Sequence, residues 1–412
     1  MRVALDFRDD DYEVGFKYCV GWPKKYLTSD YFIKQEYDTG MFGLFGEPFD
    51  VVFKDRQKDL SGVNENYYFP IIVSLSNVSQ VANEFEIPNN TLGDIKNGRC
   101  KLLIFNSYEG WSWNFWEEKF INVLLSKYNI LKHDDFVIVS ANLAPSNKFR
   151  TVYNNFWERQ TKTENLDYIS GIGSISIATR KQRHKKFICL NRRPHAGRFA
   201  SMTLLHSYIN DGYLSFGMNG QMYKGYFEEQ ERMFSITYPE TFKTYNDNNI
   251  RQRLPLVIDD GVNAEEANPV HDWSHNKFYD SFLHICPETY QYYREGRLFF
   301  SEKIWKPMMF MQPFVLIGEP FMLRTLNELG YKTFSDIIDE SYDEIVDNEQ
   351  RLTQAVKASI DFFDRPFEEL YNDMEKIENK LSHNLSWLNY RASMMDTNLC
   401  KDLRKHLHEQ TT

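Results

Sequence analysis

Short apolar runs, each long enough for one buried strand, recur along this chain and constrain its fold more than any other feature. In the first half they occupy residues 69–75, 101–106 and 135–140. Runs of this length favour strands over buried helices, which are longer. Between the last two runs, apolar residues recur at helical spacing: Trp116, Phe120, Val123, Leu124 and Tyr128. Strand, helix and strand in this order predict a parallel sheet, because parallel strands need a long crossover connection.

The second half repeats this order. Residues 187–191, 282–286 and 313–318 predict three strands, and apolar faces within residues 199–209 and 301–311 predict helices between them. The fold class expected from both halves is therefore α/β, with parallel sheets.

Glycine and proline mark several expected helix ends. Gly212 is expected to stop the helix that follows the strand at 187–191, while Pro320 and Gly330 suit the start and the end of a short helix. Beyond residue 340 the pattern is helical, and the acidic run at residues 339–349 is expected to form a solvated helix face.

The chain has 412 residues, whereas an ordinary domain has about 100–150, so more than one domain is expected. We place α/β domains at residues 1–179 and 180–340 and carboxyl-terminal helices at residues 341–412. Ligands of parallel α/β domains usually bind at the carboxyl ends of the strands. Two such domains are therefore expected to face a shared cleft.

Composition excludes several classes of protein. Lys and Arg number 48 and Asp and Glu number 58, so the net charge is −10, which argues against a broad basic surface for nucleic acid. The five cysteines are far apart and form no CxxC pair, which argues against a disulfide framework. The first residues lack a signal-peptide pattern, and the longest apolar run, residues 308–318, is shorter than the ~20 residues of a membrane span. We expect a soluble, cytoplasmic protein.

Three arginines follow the predicted strand at 187–191, where the chain turns into a helix. They are Arg192, Arg193 and Arg198, and Gly197 among them would allow a ligand to approach the backbone closely. Guanidinium groups at a helix start are a common way to hold phosphate. The alternative is a solvated basic loop that pairs with acidic residues elsewhere.

A second group follows the strand at 282–286. Glu288 stands at its end, and Ser301 is expected to cap a helix whose first turn holds Glu302 and Lys303. A lysine at a helix start is unfavourable, and a bound phosphate would remove the penalty. The alternative is an exposed Glu–Lys pair of little energetic weight.

These motifs resemble the nucleotide-sugar-binding domain of GT-B glycosyltransferases, over roughly residues 185–345. The closest likeness is to α-1,3-fucosyltransferases and exostosin-like enzymes, including the divergent forms of DNA viruses and bacteriophages. The resemblance implies two Rossmann-like domains that face a cleft, the first on the acceptor side. It also implies that Arg192 or Arg193 contacts the donor diphosphate, and that Glu288, Ser301, Glu302 and Lys303 contact ribose and phosphate. Where fucosyltransferases carry Glu-Asn-Ser, this chain has Glu-Thr-Tyr from Glu288, so the sugar is left unassigned.

In the first domain, Glu109 follows the strand at 101–106 and precedes a helix. A carboxylate here suits a general base that removes a proton from an acceptor hydroxyl, and fucosyltransferases similarly place a Glu in the acceptor domain. The alternative is a carboxylate that only stabilises a helix start. The adjacent aromatics Tyr108, Trp111 and Trp113 suit either sugar stacking or core packing.

No metal or other cofactor is expected. Asp259 and Asp260, followed by Gly261, are typical of a turn, and His271 and His275 are not in the HExxH arrangement. The sequence also lacks a GxxxxGK[ST] phosphate loop, a GxGxxG fingerprint and a GxSxG elbow, which argues against NTPases, dehydrogenases and serine hydrolases.

The sequence therefore predicts a metal-independent glycosyltransferase that moves a sugar from a nucleoside-diphosphate sugar to a hydroxyl, with a glycan as the first choice of acceptor. One alternative is a viral enzyme that acts on a hydroxymethylated base in DNA within the host cytoplasm, with the basic run at residues 180–186 on the backbone. Another alternative is a non-catalytic carbohydrate- or nucleotide-binding virion protein. The sequence does not indicate an oligomeric state.

Overall fold

In the computed structural model of the chain, two compact units are present. The first comprises Met1–Arg159, Glu295–Phe299 and Ser393–Thr412, and the second comprises Gln160–Arg294 and Phe300–Ala392. The structure describes residues 2–5, 50–53, 66–73, 78, 82–83, 87, 89–107, 109–159, 161, 183–218, 225–258 and 275–408.

The first unit contains a six-stranded, fully parallel sheet in the order β2-β1-β3-β4-β5-β6. The interior strands β4 and β5 are buried almost throughout, as their continuous apolar runs predict. The strands are β1 Arg2–Leu5, β2 Asp50–Phe53, β3 Tyr67–Ile72, β4 Cys100–Asn106, β5 Phe136–Ser140 and β6 Arg150–Tyr153.

Helices accompany this sheet in the described part of the first unit. Helix α1 is Asn89–Lys96, and α2 runs from Trp113–Trp116 through a π-helical segment, Glu117–Ile121, into Asn122–Lys127. Trp116, Phe120 and Leu124 of α2 are fully buried in the core beside the sheet. The helical spacing seen in the sequence therefore marks the face that covers the strands.

The second unit contains a four-stranded parallel sheet in the order β10-β9-β7-β8. Its strands are β7 Lys185–Asn191, β8 Gly212–Phe216, β9 Ser281–Pro287 and β10 Phe314–Ile317. From β7 the chain adds β8 on one side and then returns to add β9 on the other. The loops after β7 and β9 consequently leave the same edge at the point where the order reverses, which is where open α/β sheets usually bind ligands.

Helices flank this second sheet and follow it along the chain. Helix α3 connects β7 to β8, and α7 connects β9 to β10. The helices are α3 Ala196–Leu205, α4 Tyr226–Thr237, α5 Pro239–Asp247, α6 His275–Tyr279, α7 Glu302–Met309, α8 Met322–Glu328, α9 Asn348–Phe363, α10 Phe367–Lys376 and α11 Glu378–His408.

The expected fold class, α/β with two parallel sheets, is confirmed, and so is each strand predicted from an apolar run. Gly330 ends α8 as predicted, with a φ of 95° that favours glycine. The prediction for Gly212 was wrong, because this residue begins β8 rather than ending a helix. The strand is only five residues long and begins at the glycine that was expected to stop the helix, so its pairing with β7 was not evident.

The acidic run at residues 339–349 is not a solvated helix face. Its carboxylates cap other segments instead: both oxygens of the buried Asp343 accept from the N–H groups of Leu323 and Arg324 at the start of α8. Asp347 caps α9. The run therefore stabilises helix starts through the orphan N–H groups that helices leave there.

No helix in the described part of the chain combines the length and the apolar character that crossing a bilayer requires.

Candidate functional site

The arginine loop leaves the carboxyl end of β7 and leads into α3. Arg198 lies in the first turn of α3 and is 4% exposed, while Arg193 is exposed. Arg198 donates from Nη1 to the Arg193 carbonyl oxygen at 3.2 Å, and its buried Nε has no hydrogen-bond partner. Burial lowers the pKa of Arg198, and Glu302 and Glu288 partly oppose this effect. Arg198 is therefore a buried cation with unused hydrogen-bonding capacity.

His195 and Tyr226 adjoin these arginines and were not singled out from the sequence. His195 is the residue before α3, and its Nδ1 lies 3.2 Å from the Tyr226 hydroxyl oxygen. Burial and the nearby Arg198 lower the pKa of His195 well below its usual range. The imidazole is consequently neutral at pH 7. The signal available in the sequence was the position of His195 directly before a helix that begins in a basic loop.

The space beside Gly197 is filled by protein rather than left open for a ligand, so the prediction for this glycine was wrong. A Cβ atom added there would lie 1.6 Å from the Gln291 Oε1 and 2.9 Å from the Tyr238 hydroxyl. Glycine is needed because α3 packs tightly against the loop after β9.

Glu288 and Ser301 fix the start of α7. Glu288 is 1% exposed and follows β9 directly. Its Oε1 accepts from the Ser301 N–H at 3.2 Å, and its Oε2 accepts from the Ser301 hydroxyl and from the Thr289 N–H. Ser301 caps the helix as predicted, with its Oγ accepting from the Lys303 N–H. The carboxylate thus joins the loop after β9 to the start of α7.

Glu302 and Lys303 form a largely buried pair in the first turn of α7, with side chains 20% and 16% exposed. The Lys303 Nζ donates to the Glu302 Oε1 at 2.7 Å, to the Ser301 Oγ at 3.1 Å and to the Thr289 Oγ1 at 3.3 Å. Burial by itself raises the pKa of Glu302. The nearby cations Lys303, Lys306 and Arg198 together outweigh this effect and lower the pKa to about 2. Glu302 is therefore ionised at pH 7.

Pro307 lies inside α7 and leaves the Lys303 carbonyl without its usual helical donor. The Cys286 thiol of β9 donates to that oxygen at 3.7 Å. The interior proline is tolerated because the adjacent strand supplies a weak substitute bond.

These contacts connect all the predicted donor-side residues within the second unit. Arg193 and Arg198 share a hydrogen bond, Arg198 acts electrostatically on Glu302, and Lys303 joins Glu302 to the Glu288–Ser301 pair. Arg192 lies next to Arg193, and its pKa is lowered by burial and by that neighbour. We call the whole group the donor-side cluster: Arg192, Arg193, Arg198, Glu288, Ser301, Glu302 and Lys303.

Arg351 of α9 braces the loops from which this cluster projects. Its guanidinium is 3% exposed and donates to the carbonyl oxygens of Gly318 after β10 and Gln291 after β9, each at 2.9 Å. Further bonds go to carbonyl oxygens that precede α9. Nothing in the local sequence distinguishes Arg351 from a surface arginine on a helix.

The described part of the basic run, residues 183–186, does not adjoin the arginine loop. Residues 180–182 lie outside the described part of the chain, and Lys185 and Lys186 begin β7, whereas the loop leaves the opposite end of that strand. Arg183 is 3% exposed, and its Nη1 donates to the Ser281 and Phe278 carbonyl oxygens. A phosphate held by the arginine loop would therefore lie at the opposite end of β7 from Lys185 and Lys186.

In the first unit, Glu109 is held by its backbone at the end of β4. Its N–H donates to the Asn106 Oδ1 at 3.0 Å, and its carbonyl accepts from the Ser140 hydroxyl at 3.5 Å. Its side chain is partly exposed. Glu109 belongs to a different unit from the donor-side cluster.

Most aromatic residues proposed for stacking belong to the core. Trp113 is 5% exposed and donates through Nε1 to the Ala144 carbonyl at 2.8 Å, and Trp111 packs on the Trp116 ring. Trp305 of α7, the helix that carries Glu302 and Lys303, is fully buried against Tyr331. Core packing is therefore the correct interpretation of Trp113 and Trp305.

Several sequence candidates lie outside the described residues: Tyr108, Asp259, Asp260, Gly261 and His271. His275 is described only as the first residue of α6. Among the residues that the structure describes, no group of three or more His, Cys, Asp or Glu side chains is arranged to hold a metal ion.

The lowered pKa of Glu302 predicts a dependence of stability on pH. An unfolded glutamate titrates at about 4.3, so the ionised Glu302 stabilises the fold above that pH. This stabilisation is lost as the pH falls towards 2. Glu302→Gln is expected to lower the free energy of unfolding by about 1–3 kcal/mol at pH 7 and by progressively less below pH 4. Urea titrations of both proteins across this range measure the difference. A difference that is the same at pH 7 and pH 3 would contradict the assignment.

Comparison with known proteins finds similarity between this chain and several solved structures. No protein-family model matches the chain, and no curated protein matches it significantly. An α1,3-fucosyltransferase solved with GDP-fucose is 11% identical, with a TM-score of 0.37, over 100% of this chain and 91% of that one. A UDP-forming trehalose-phosphate synthase from Burkholderia vietnamiensis is 11% identical, with a TM-score of 0.39, over 85% and 77%. A second such synthase, from Burkholderia xenovorans, is 10% identical, with a TM-score of 0.38, over 97% and 86%. Glycosyltransferases are thus among the solved structures to which this chain is similar.

Proposed function

We propose that the protein is a glycosyltransferase that takes its sugar from a nucleoside-diphosphate donor held by the donor-side cluster. The observation that carries this proposal is the position and state of Arg198. It is a buried guanidinium with an unpartnered Nε, at the edge of the sheet where the strand order reverses. Such a group costs stability unless an anion completes its hydrogen bonds. A diphosphate is an anion of suitable charge and geometry.

The donor-side cluster supplies what departure of a nucleoside diphosphate requires. Negative charge develops on the leaving phosphate oxygens, and fixed cations stabilise it without reorganisation. Arg193, Arg198 and Lys303 would fill this role without a metal ion. Glu302 is ionised and would accept hydrogen bonds from the ribose hydroxyls.

Glu288 has a positioning role in this scheme. Its oxygens accept hydrogen bonds from Ser301 and Thr289. Glu288 would thereby hold the start of α7 in the orientation that directs Lys303 towards the donor diphosphate. Lys303 is held on Glu302 and Ser301, and it would exchange part of this coordination for a phosphate oxygen when a donor binds.

Glu109 would act as the base towards the acceptor if the reaction inverts the sugar. Its backbone is anchored at both the N–H and the carbonyl, and its side chain is partly exposed. Such a carboxylate can take the proton of an attacking hydroxyl. A glycan is our first choice of acceptor, and the burial of Arg183 removes one of the contacts on which a DNA acceptor depended.

The test is release of nucleoside diphosphate from a panel of UDP-, GDP-, ADP- and dTDP-linked sugars. At least one donor is expected to turn over, and Lys303→Ala is expected to lower its kcat/KM by about 10- to 100-fold through loss of one charged hydrogen bond to phosphate. Lys243→Ala is the matched control, since Lys243 is an exposed residue on α5 of the same unit. Equal turnover by the Lys303 and Lys243 variants would remove Lys303 from the donor site. Binding of a donor with no turnover across the panel would favour the non-catalytic alternative.

A further inference from the structure

A short stretch of the loop between β9 and α7 belongs to the first unit. The chain leaves the second unit after Arg294, contributes Glu295–Phe299 to the first unit, and returns to the second unit at Phe300. We call Glu295–Phe299 the inserted segment. The loop that contains it begins at Glu288 and ends at Ser301, both of which belong to the donor-side cluster. Whatever fixes the inserted segment therefore bears on where α7 begins.

Hydrogen bonds to Gly296 and Leu298 hold the inserted segment in the first unit. The Asn142 Nδ2 and the Trp113 N–H donate to the Gly296 carbonyl oxygen at 2.8 and 3.2 Å. The Leu298 N–H donates to the Asn142 Oδ1 at 2.8 Å, and the Leu298 carbonyl accepts from the Leu143 N–H at 2.8 Å. Asn142 thus binds the segment through both polar atoms of its side chain.

The remaining bonds of Asn142 go to the loops after β4 and β5. Its Nδ2 also donates to the Trp111 carbonyl oxygen, and its Oδ1 also accepts from the Ala144 N–H, each at 3.0 Å. Asn142 is 4% exposed, so these bonds are shielded from water. The amide therefore joins two loops of the first sheet to the inserted segment, and its loss would leave buried backbone groups unpaired.

Gly110, the residue after Glu109, packs directly against the last residue of the inserted segment. A Cβ atom added to Gly110 would lie 2.2 Å from the Phe299 Cβ and 2.6 Å from the Phe299 Cγ. Because a Cβ atom is fixed to its own backbone, rotation of the Phe299 ring cannot relieve this overlap. Phe299 is itself 3% exposed. The backbone of the Glu109 loop, at Gly110, therefore limits where the Phe299 backbone can lie.

The position of Phe299 is passed on to the start of α7 by a short piece of chain. Ser301 is two residues away, a span of at most about 7 Å. Phe300 between them is fully buried and its ring contacts the ring of Trp305 in α7. The Ser301 Oγ then accepts from the Lys303 N–H. Since packed interiors transmit small shifts, displacement of Phe299 would move the first turn of α7 and with it Lys303.

We infer that Gly110 and Asn142 are positioning residues of the donor-side cluster, and that they act on the start of α7 through the inserted segment. The inference rests on the proposed function where it concerns nucleotide binding. It goes further in making donor affinity depend on two residues of the first unit that are not members of the cluster.

The test compares Gly110→Ala with a matched control, Gly93→Ala. Gly93 lies on α1 of the same unit, and a Cβ atom added there would meet open space. Asn142→Asp is a second site variant. Its carboxylate keeps the bonds from the Leu298 and Ala144 N–H groups, but at neutral pH it cannot donate to the Gly296 carbonyl.

Two measurements are made on the full-length protein. The first is amide hydrogen exchange without ligand at the N–H groups of Ser301 and Lys303, which donate to the Glu288 Oε1 and the Ser301 Oγ. Amides of α5, in the same unit as α7, report general opening of that unit. The second is calorimetric titration with UDP, GDP, ADP and dTDP.

Both site variants are expected to exchange faster at Ser301 and Lys303 and to leave α5 unchanged. They are expected to weaken binding of the preferred nucleotide by about 10-fold, as for loss of one charged hydrogen bond to the diphosphate. Gly93→Ala is expected to change neither quantity. If one site variant does not fold, the other decides.

Unchanged exchange at Ser301 and Lys303 in the folded site variants would overturn the inference. Equal acceleration in α5 and α7 would also overturn it, because it would show general destabilisation. Nucleotide binding that the site variants do not weaken would overturn it while leaving the proposed function in place. Selective acceleration at Ser301 and Lys303 in a protein that binds none of the four nucleotides would leave the positioning role standing and reject the proposed function.

Discussion

Arg198→Met is expected to lower kcat by about 10²–10³-fold while changing the free energy of unfolding by less than about 1 kcal/mol. The loss of turnover follows from the removal of a fixed cation at the leaving diphosphate. The small effect on stability follows from the state of the side chain. Its burial disfavours the charge, its Nε has no partner, and among the described residues its guanidinium donates to the Arg193 carbonyl.

Arg351→Met provides the contrast for this prediction. Arg351 is as deeply buried as Arg198, but its guanidinium is saturated by the loops after β9 and β10 and by residues around the start of α9. Its removal leaves several buried carbonyls unpaired, so a loss of about 3–5 kcal/mol in the free energy of unfolding is expected. Denaturant titration and donor turnover of both variants separate the two roles. If Arg198→Met unfolds as easily as Arg351→Met, Arg198 is a structural residue and its assignment to the donor site fails.

Glu109→Gln is expected to lower kcat by about 10²–10⁴-fold with donor affinity unchanged. Glutamine keeps the shape of the side chain and leaves the two backbone hydrogen bonds of residue 109 in place, but it cannot accept the acceptor proton at neutral pH. Donor affinity should persist because Glu109 belongs to the first unit and the donor-side cluster to the second.

The control for this prediction is Glu118→Gln, which changes an exposed carboxylate on α2 of the same unit. It is expected to retain full turnover. Single-turnover kinetics with saturating donor measure the chemical step, and equilibrium titration measures donor affinity. Full activity of Glu109→Gln would exclude it as the base, and a loss of donor affinity in this variant would point to a different role.

Much of the fold follows from local signals in the sequence. Continuous apolar runs predict β4, β5, β7, β9 and β10, because strands that are buried on both faces carry no polar alternation. The capping role of Ser301 was likewise evident from the residues that follow it. Strand β8 was missed because its first residue, Gly212, was assigned to the end of the preceding helix.

The features of the site that decide its chemistry depend on contacts that are distant in sequence. The three arginines after β7 are alike in sequence, yet Arg198 is buried and Arg193 is exposed. The acidic run at residues 339–349 was predicted to be a solvated helix face. In the structure, Asp343 and Asp347 instead accept hydrogen bonds from N–H groups at the starts of α8 and α9. The place of these charged side chains along the chain and the sign of their charge were therefore predictable. Which of them are buried, and which have all their hydrogen bonds made within the protein, was not.

The measurement that tests the central claim most directly is an experimental structure of the protein with UDP or GDP bound. The diphosphate is expected within hydrogen-bond distance of the Lys303 Nζ and the Arg198 guanidinium, with the ribose next to Glu302. In such a structure the Arg198 Nε is expected to have gained a partner. A nucleotide bound away from the carboxyl ends of β7 and β9, with Arg198 still unpartnered, would contradict the account.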